Sequence, residues 1–183
     1  MSSNTIKSNN GGTRCQSSRS RVVDRFLEVY YFIKRLYYLT KSLLGIIFRH
    51  PVTGTSIIPI FADGRIVLAR RHDTGRWALP GGMVEWGEEI ATTVRRELLE
   101  ETGLELVRIS RLVGVYSKPD RDPRLHSICV VVEAEVRGKI QIQDEQEISQ
   151  VEAFNPSDLP LVELSYDNDE QLKNYLDGLT ILA

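Results

Sequence analysis

The sequence predicts an α+β fold, in which strands and helices do not alternate regularly, preceded by a separate amphipathic helix. Three observations carry that reading. Apolar runs of strand length are grouped instead of alternating regularly with helical stretches, which argues against a doubly wound parallel sheet. An Asp63-Gly64 pair separates the runs TSIIPIF (55–61) and RIVLARR (65–71) and signals a hairpin. Composition changes abruptly at Asp24, from polar and Gly-containing to strongly apolar, which marks off the first fifty residues. With 183 residues and 42% hydrophobic content, the chain can bury one substantial core and carry a short appendage.

Residues 1–20 are rich in Ser, Asn and Gly and hold almost no large apolar side chains, so they cannot offset the entropy of ordering and are expected to be a disordered tail. Residues 21–50 follow as an amphipathic helical segment. Within it Glu28, Arg35, Ser42 and Arg49 recur every seven residues beside Lys34 and Lys41, giving one narrow polar stripe and one broad apolar face. The charges interrupt every window near the roughly 20 apolar residues that a membrane span needs. Four placements stay open for residues 24–49: packing on the domain, pairing with a sister subunit in a homodimer, peripheral contact with a membrane surface, or a targeting role suggested by the acid-free first 23 residues.

Residues 51–183 read as the main domain. Besides the hairpin, strands are expected at LVGVY (112–116), HSICVVVEAEV (126–136) and KIQIQ (139–143), the last two joined at Arg137-Gly138. Helices fit Glu89–Thr102 and Asp167–Leu176. No internal repeat is present.

The net charge of −2 hides an asymmetry. Residues 1–50 hold nine Lys/Arg against Asp24 and Glu28, leaving fourteen basic and twenty-three acidic residues, so the two parts carry about +7 and −9. An acidic body argues against a nucleic-acid polymer as partner and suits carboxylates that hold cations. Cys15 and Cys129 lie far apart and lack the close spacing of a zinc knuckle, so neither a disulfide framework nor a cysteine metal site is suggested, which fits a reducing cytoplasm.

The chemistry concentrates between Gly81 and Leu104, GGMVEWGEEIATTVRRELLEETGL, where a glycine loop leads into a helix crowded with carboxylates. Glu97, Glu100 and Glu101 stand at i, i+3 and i+4 and project over one helical sector, within reach of a single cation. Like charges at these spacings cost about 0.2–0.5 kcal/mol per pair. Anions in a last turn oppose the macrodipole by roughly 0.3–1 kcal/mol each. Gly103 is placed to close the helix in a left-handed conformation. A solvated acidic face is the bland alternative; the glycine loop and Arg96 weigh against it.

This stretch resembles the Nudix box, G-x5-E-x7-R-E-U-x-E-E-x-G-U with U aliphatic. Gly82, Glu88, Arg96, Glu97, Leu98, Glu100, Glu101, Gly103 and Leu104 fill every fixed position. The resemblance extends over roughly residues 52–180 and implies the Nudix-type α/β/α sandwich with a mixed sheet. It also implies that Glu97, Glu100 and Glu101 bind Mg²⁺ or Mn²⁺, with the Gly82 carbonyl as a further hard ligand. Glu88 and Arg96 are then structural partners that lock the loop on the helix. Such a metal site neutralises pyrophosphate oxygens and activates water. Glu101 is the first candidate for general base; Glu147, and next Glu145, in the acidic segment DEQEISQVEAFNPSDLP, is an alternative base or extra ligand.

Outside the box, Arg70, Arg71 and Trp77 are candidates to border the phosphate site, with Trp77 equally suited to the core. Pro119 stands sixteen residues beyond Gly103, which resembles the ADP-ribose pyrophosphatase branch of the family. On that resemblance Tyr116, Arg121 and Arg124 become candidates for contacts to the terminal ribose or phosphates, although the two arginines equally suit turn pairs with Asp120 and Asp122. The expected reaction is hydrolysis of ADP-ribose, or a similar nucleoside diphosphate linked to another group, to AMP and a phosphorylated remainder. Hydrolysis of oxidised nucleoside triphosphates is the alternative activity; a Nudix-fold sensor without turnover is the non-enzymatic one, which the intact box disfavours.

Overall fold

The computed structural model describes the backbone of residues 16–183 and the side chains of 27–45 and 50–183. Residues 1–15, most of the expected tail, lie outside this range. The chain divides into two units, residues 1–50 and 51–183. The first contains helix α1, Gln16–Arg49. It starts inside the stretch 1–20 read as tail, because no Gly or Pro interrupts the helical hydrogen-bond ladder between Gln16 and Leu44. Among the described residues, no helix is long and apolar enough to cross a membrane.

The second unit runs β1 (Val52–Ile60), β2 (Ile66–Arg71), β3 (Trp77–Ala78), α2 (Ile90–Glu97), β4 (Glu105–Tyr116), β5 (Ser127–Arg137), β6 (Ile148–Phe154), α3 (Asn168–Leu176) and β7 (Ile181–Leu182). The sheet order is β3-β2-β1-β5-β4-β7, with β6 also paired to β2. β1 runs parallel to β5, and β4 parallel to β7, whereas β1–β2 and β4–β5 are antiparallel. The sheet is therefore mixed, as the family resemblance implied, and not the doubly wound parallel sheet that the irregular order argued against.

Side chains alternate between two cores because successive strand residues point to opposite faces. Ile58, Ile66, Leu68 and Val131 join Leu172 of α3 on one face; Ile57, Val67 and Val132 join Val94 of α2 on the other. This is the α/β/α sandwich. The Asp63-Gly64 hairpin forms, with Gly64 at φ 87°. Residues 139–143, expected as a strand, are an irregular connector. Their backbone amides serve the helix instead: Gln141 donates to the Thr102 carbonyl at 2.9 Å, and Gln143 donates to that of Glu100 at 3.1 Å. Those carbonyls have no partner inside the helix, so capping them outweighs sheet pairing for this segment.

Candidate active site

The loop from Pro80 to Val84 lies along β1. Thr55 N–H donates to the Gly82 carbonyl at 2.8 Å, Ile57 N–H to that of Pro80 at 2.8 Å, and Val84 N–H to that of Thr53 at 3.0 Å. A Cβ at position 82 would stand 2.2 Å from Glu97 Oε1, so any larger residue there displaces the Glu97 carboxylate. The carboxylate-bearing helix can thus approach the loop backbone directly. The Gly82 carbonyl is turned toward β1 and also faces the Thr55 hydroxyl at 3.5 Å, so its outlook as a cation ligand is narrower than the resemblance implied.

α2 is anchored by Val94, and the turn that extends it by Leu98, both fully buried. Burying such side chains contributes about 1.5–3 kcal/mol each, which exceeds the few tenths lost per like-charge pair. After Glu97 the helix widens into a five-residue π-type turn, Leu98–Thr102, and closes at Gly103 with φ 72°. A π-turn departs from the regular i, i+3, i+4 geometry and is a frequent feature of functional sites. Glu97 and Glu101 end up buried, whereas the Glu100 side chain is half exposed.

Arg96 organises the cluster. Its Nε and Nη2 donate to the two oxygens of Glu88, each at 3.0 Å, and Nη2 also donates to the Met83 carbonyl at 3.1 Å. Its Nη1 stands between Glu97 at 2.6 Å and Glu100 at 3.3 Å. Glu88 receives further bonds from Glu85 N–H and the Thr93 hydroxyl. Bonds from Arg96 first, then Thr93, hold its carboxyl down at about 2. Loop and helix are thereby tied by one forked ion pair.

Glu101 is 5% exposed, and its Oε2 accepts from Gly81 N–H at 2.9 Å. Among the described residues no cationic side chain forms an ion pair with it. Burial pushes its carboxyl up to about 8, opposed by the Gly81 amide and reinforced by Glu97. Glu97 is likewise raised by burial, against the pull of Arg96. As placed, no three acidic, His or Cys side chains among the described residues converge closely enough to enclose an ion. Arg96 fills the space between two of them. The donor set still fits a divalent cation: hard carboxylate oxygens, one of them buried and short of countercharge.

One cleft of about 480 Å³ joins this cluster to residues distant in sequence. Gly82, Glu97, Glu100, Glu101 and Glu147 line it together with Arg71, Arg121 and Arg124. Arg71 binds Asp73 through Nε at 2.9 Å and reaches Glu147 at 3.6 Å. Glu145 is not among the lining residues, whereas Asp144, unremarked in the sequence, is. Asp144 Oδ1 accepts from the N–H groups of Gln146 and Glu147 and so shapes the loop that presents Glu147.

Four other candidates stand elsewhere. Trp77 is 6% exposed and packs edge-on against Phe154 at 5.1 Å; it shares its core with Leu79, two residues on. Arg70 is exposed, bonds the Gly75 carbonyl at 2.8 Å and stands over the Trp77 ring, away from the cleft. Tyr116 is 3% exposed in the core, where its hydroxyl accepts from Asn174 at 3.0 Å, and it borders only a second cavity of about 390 Å³. Pro119 is exposed on the 117–126 loop and lines neither cavity. Arg124 does pair with Asp122, at 2.9 Å, but Arg121 reaches Asp167 by two 2.9 Å bonds and not Asp120.

Part of the cleft lining is a turn that sequence reasoning missed. Asn168 N–H donates to the Ser165 carbonyl at 3.1 Å, which places Tyr166 second in the turn. Tyr166 is the one non-glycine residue with positive φ, 55°, among the described residues, and Asp167 follows at φ −97°, ψ 18°. A positive φ at the second position alone is the type II′ pattern, where glycine is favoured. A bulky residue there stores on the order of 1–3 kcal/mol of strain and persists only if its flanks are fixed. They are: Ser165 N–H donates to the Trp77 carbonyl, Leu79 N–H donates to Asn168 Oδ1, and Asp167 is clamped to Arg121. No sequence signal marks Tyr166, because nothing local dictates its backbone angle.

The profile of the NUDIX domain family matches residues 50–176. The chain is 38% identical over 133 residues to an ADP-ribose pyrophosphatase of Methanocaldococcus jannaschii, covering 71% of this chain and 76% of that one. It is 29% identical over 125 residues to a protein of Bacillus subtilis described as a putative 8-oxo-dGTP diphosphatase, covering 68% and 80%. Among solved structures, the NUDIX domain of Shewanella oneidensis NrtR superposes with a TM-score of 0.64 at 23% identity, covering 72% of this chain and 90% of that one, a likeness of fold.

Proposed function

The chain belongs to the NUDIX family of pyrophosphohydrolases, and from that premise we propose that it hydrolyses the phosphoanhydride bond of ADP-ribose, or of a similar nucleoside diphosphate linked to a second group, to AMP and ribose 5-phosphate or its counterpart. The observation that carries the reading is the cleft itself: one cavity of nucleotide-binding size joins the acidic end of α2 to a wall of arginines and an aromatic ring. The similarity to an ADP-ribose pyrophosphatase supports the choice of substrate.

Glu97, Glu100 and Glu101, with the Gly82 carbonyl, would hold Mg²⁺ or Mn²⁺. A divalent ion bound there neutralises pyrophosphate oxygens and lowers the pKa of a water. Glu101 Oε2 accepts from Gly81 N–H; acting as base, Glu101 would receive the proton of the attacking water on Oε1, with the ion then resting on Glu97, Glu100 and the Gly82 carbonyl. As the water oxygen bonds phosphorus, the bridging P–O bond breaks and its electrons leave with the departing phosphate. Glu147, which lines the cleft and stands within 3.6 Å of Arg71, is the second base candidate. Arg96 and Glu88 shape the loop and touch no substrate in this scheme.

The Bacillus subtilis relative favours a second reading, release of pyrophosphate from an oxidised nucleoside triphosphate. Both are tested by Mg²⁺-dependent hydrolysis of ADP-ribose, NADH, a dinucleoside polyphosphate and 8-oxo-dGTP, with products separated by chromatography. AMP from ADP-ribose is the expected result. Pyrophosphate from 8-oxo-dGTP, without turnover of ADP-ribose, replaces the first reading with the second, and no turnover of any overturns both. We further propose that α1 serves the enzyme as a contact element, to a sister subunit or a membrane surface; sedimentation and vesicle flotation with and without residues 1–50 separate these roles.

A further inference from the structure

Neither hydrophobic core accounts for the position of Tyr166. It is half-buried, belongs to neither core, and occupies a turn position that glycine would fill without strain. Its ring borders both cavities. The Arg124 guanidinium stands over the ring at 4.4 Å from its centre, and the Tyr166 hydroxyl donates to Asp73 at 3.4 Å.

The charge on this wall is already answered. Arg71 is paired with Asp73, Arg124 with Asp122 and Arg121 with Asp167. With each guanidinium matched by a carboxylate, the wall offers little net positive charge to a further phosphate. It does offer a rigid, cation-backed aromatic surface, and such a surface suits a flat, neutral heterocycle. We propose that Tyr166, backed by Arg124, is a specificity-determining residue that stacks the nucleobase of the substrate, in the cleft that the carboxylates of α2 also line. The assignment rests on the nucleoside diphosphate reading given above.

The test compares wild type, Tyr166→Gly and Tyr166→Phe in two assays. Calorimetric titration with AMP, with ribose 5-phosphate as the base-free control, reads binding without turnover; steady-state hydrolysis of ADP-ribose reads KM and kcat. Removing the ring is expected to weaken AMP and raise KM by roughly 5- to 100-fold, the range of base–aromatic stacking, with kcat within about threefold. Ribose 5-phosphate binding should not change. Tyr166→Phe, which keeps the ring, should stay within about threefold of wild type. The Tm of Tyr166→Gly should be no lower than that of wild type, because glycine suits the turn. Equal AMP affinity in wild type and Tyr166→Gly, no AMP binding by wild type, or equal losses in Gly and Phe variants would each overturn the proposal. Failure of wild type to hydrolyse ADP-ribose, with ring-dependent AMP binding retained, would instead remove the substrate reading and leave the platform standing.

Discussion

The end of α2 and the turn at Ser165–Asn168 both line one cleft, and each departs from a local rule of a different kind. At α2 the departure is electrostatic: three carboxylates share the last turns of a helix, two of them buried. At the turn it is conformational: a tyrosine holds a backbone angle that suits glycine. Charge conflict is written in residue types at fixed spacing. Backbone strain is imposed by the flanks, here Ser165, Asp167 and Asn168, whose partners are far away in sequence. The acidic end should therefore govern chemistry and the turn recognition, and substitutions should separate the two.

The largest effect is expected at the acidic end. Glu101→Gln should lower kcat by at least about 10²-fold, the lower range for loss of a positioned general base, while Tm stays unchanged or rises because a buried carboxyl short of countercharge is removed. An active Glu101→Gln enzyme would end its assignment. Next comes the support of the tyrosine turn. Arg121→Ala strands Asp167 in a pair whose side chains are only 9% and 11% exposed, and should cost about 3–5 kcal/mol in urea unfolding. A loss near zero would mean that the turn is held by Ser165 and Asn168 alone.

Smaller effects sharpen the comparison from the acidic side. Arg96→Ala unties loop from helix and should weaken metal-supported activity by about 10–100-fold, read as a shift in the Mg²⁺ concentration that gives half-maximal rate. A fall in rate at saturating Mg²⁺ with no such shift would argue for a direct role instead. The last test is pH-dependent. The Glu88 carboxyl is held at about 2, below its ordinary 4.5, so its stabilising contribution is complete above about 4.5 and is lost as pH falls toward 2. In Glu88→Gln the stability curve should be flatter across that window; parallel curves would show that the forked pair does not contribute.

Much of the acidic end is legible in the sequence. The nine box positions, the left-handed closure at Gly103 and the hairpin at Asp63-Gly64 follow from residue types whose constraints are local. One local reading failed and one open choice was closed, each for an identifiable reason. Residues 139–143 alternate like a strand, but their amides cap the carbonyls of Glu100 and Thr102. Trp77 stands beside the glycine loop in sequence, yet the two-residue β3 sends it into the core with Leu79.

The sequence by itself determined the mixed α+β class, the family and the carboxylate cluster, because periodicity and spacing encode which side chains share a face of one helix or strand. Tertiary structure alone decided which arginines reach the cleft, that Arg121 pairs with Asp167 and not Asp120, and that Tyr166 joins the cleft lining. These depend on contacts spanning 46 residues from Arg121 to Asp167 and 93 from Asp73 to Tyr166, and no local spacing specifies such contacts. The fold supplies them by bringing separate loops to one end of the central strands β1 and β5.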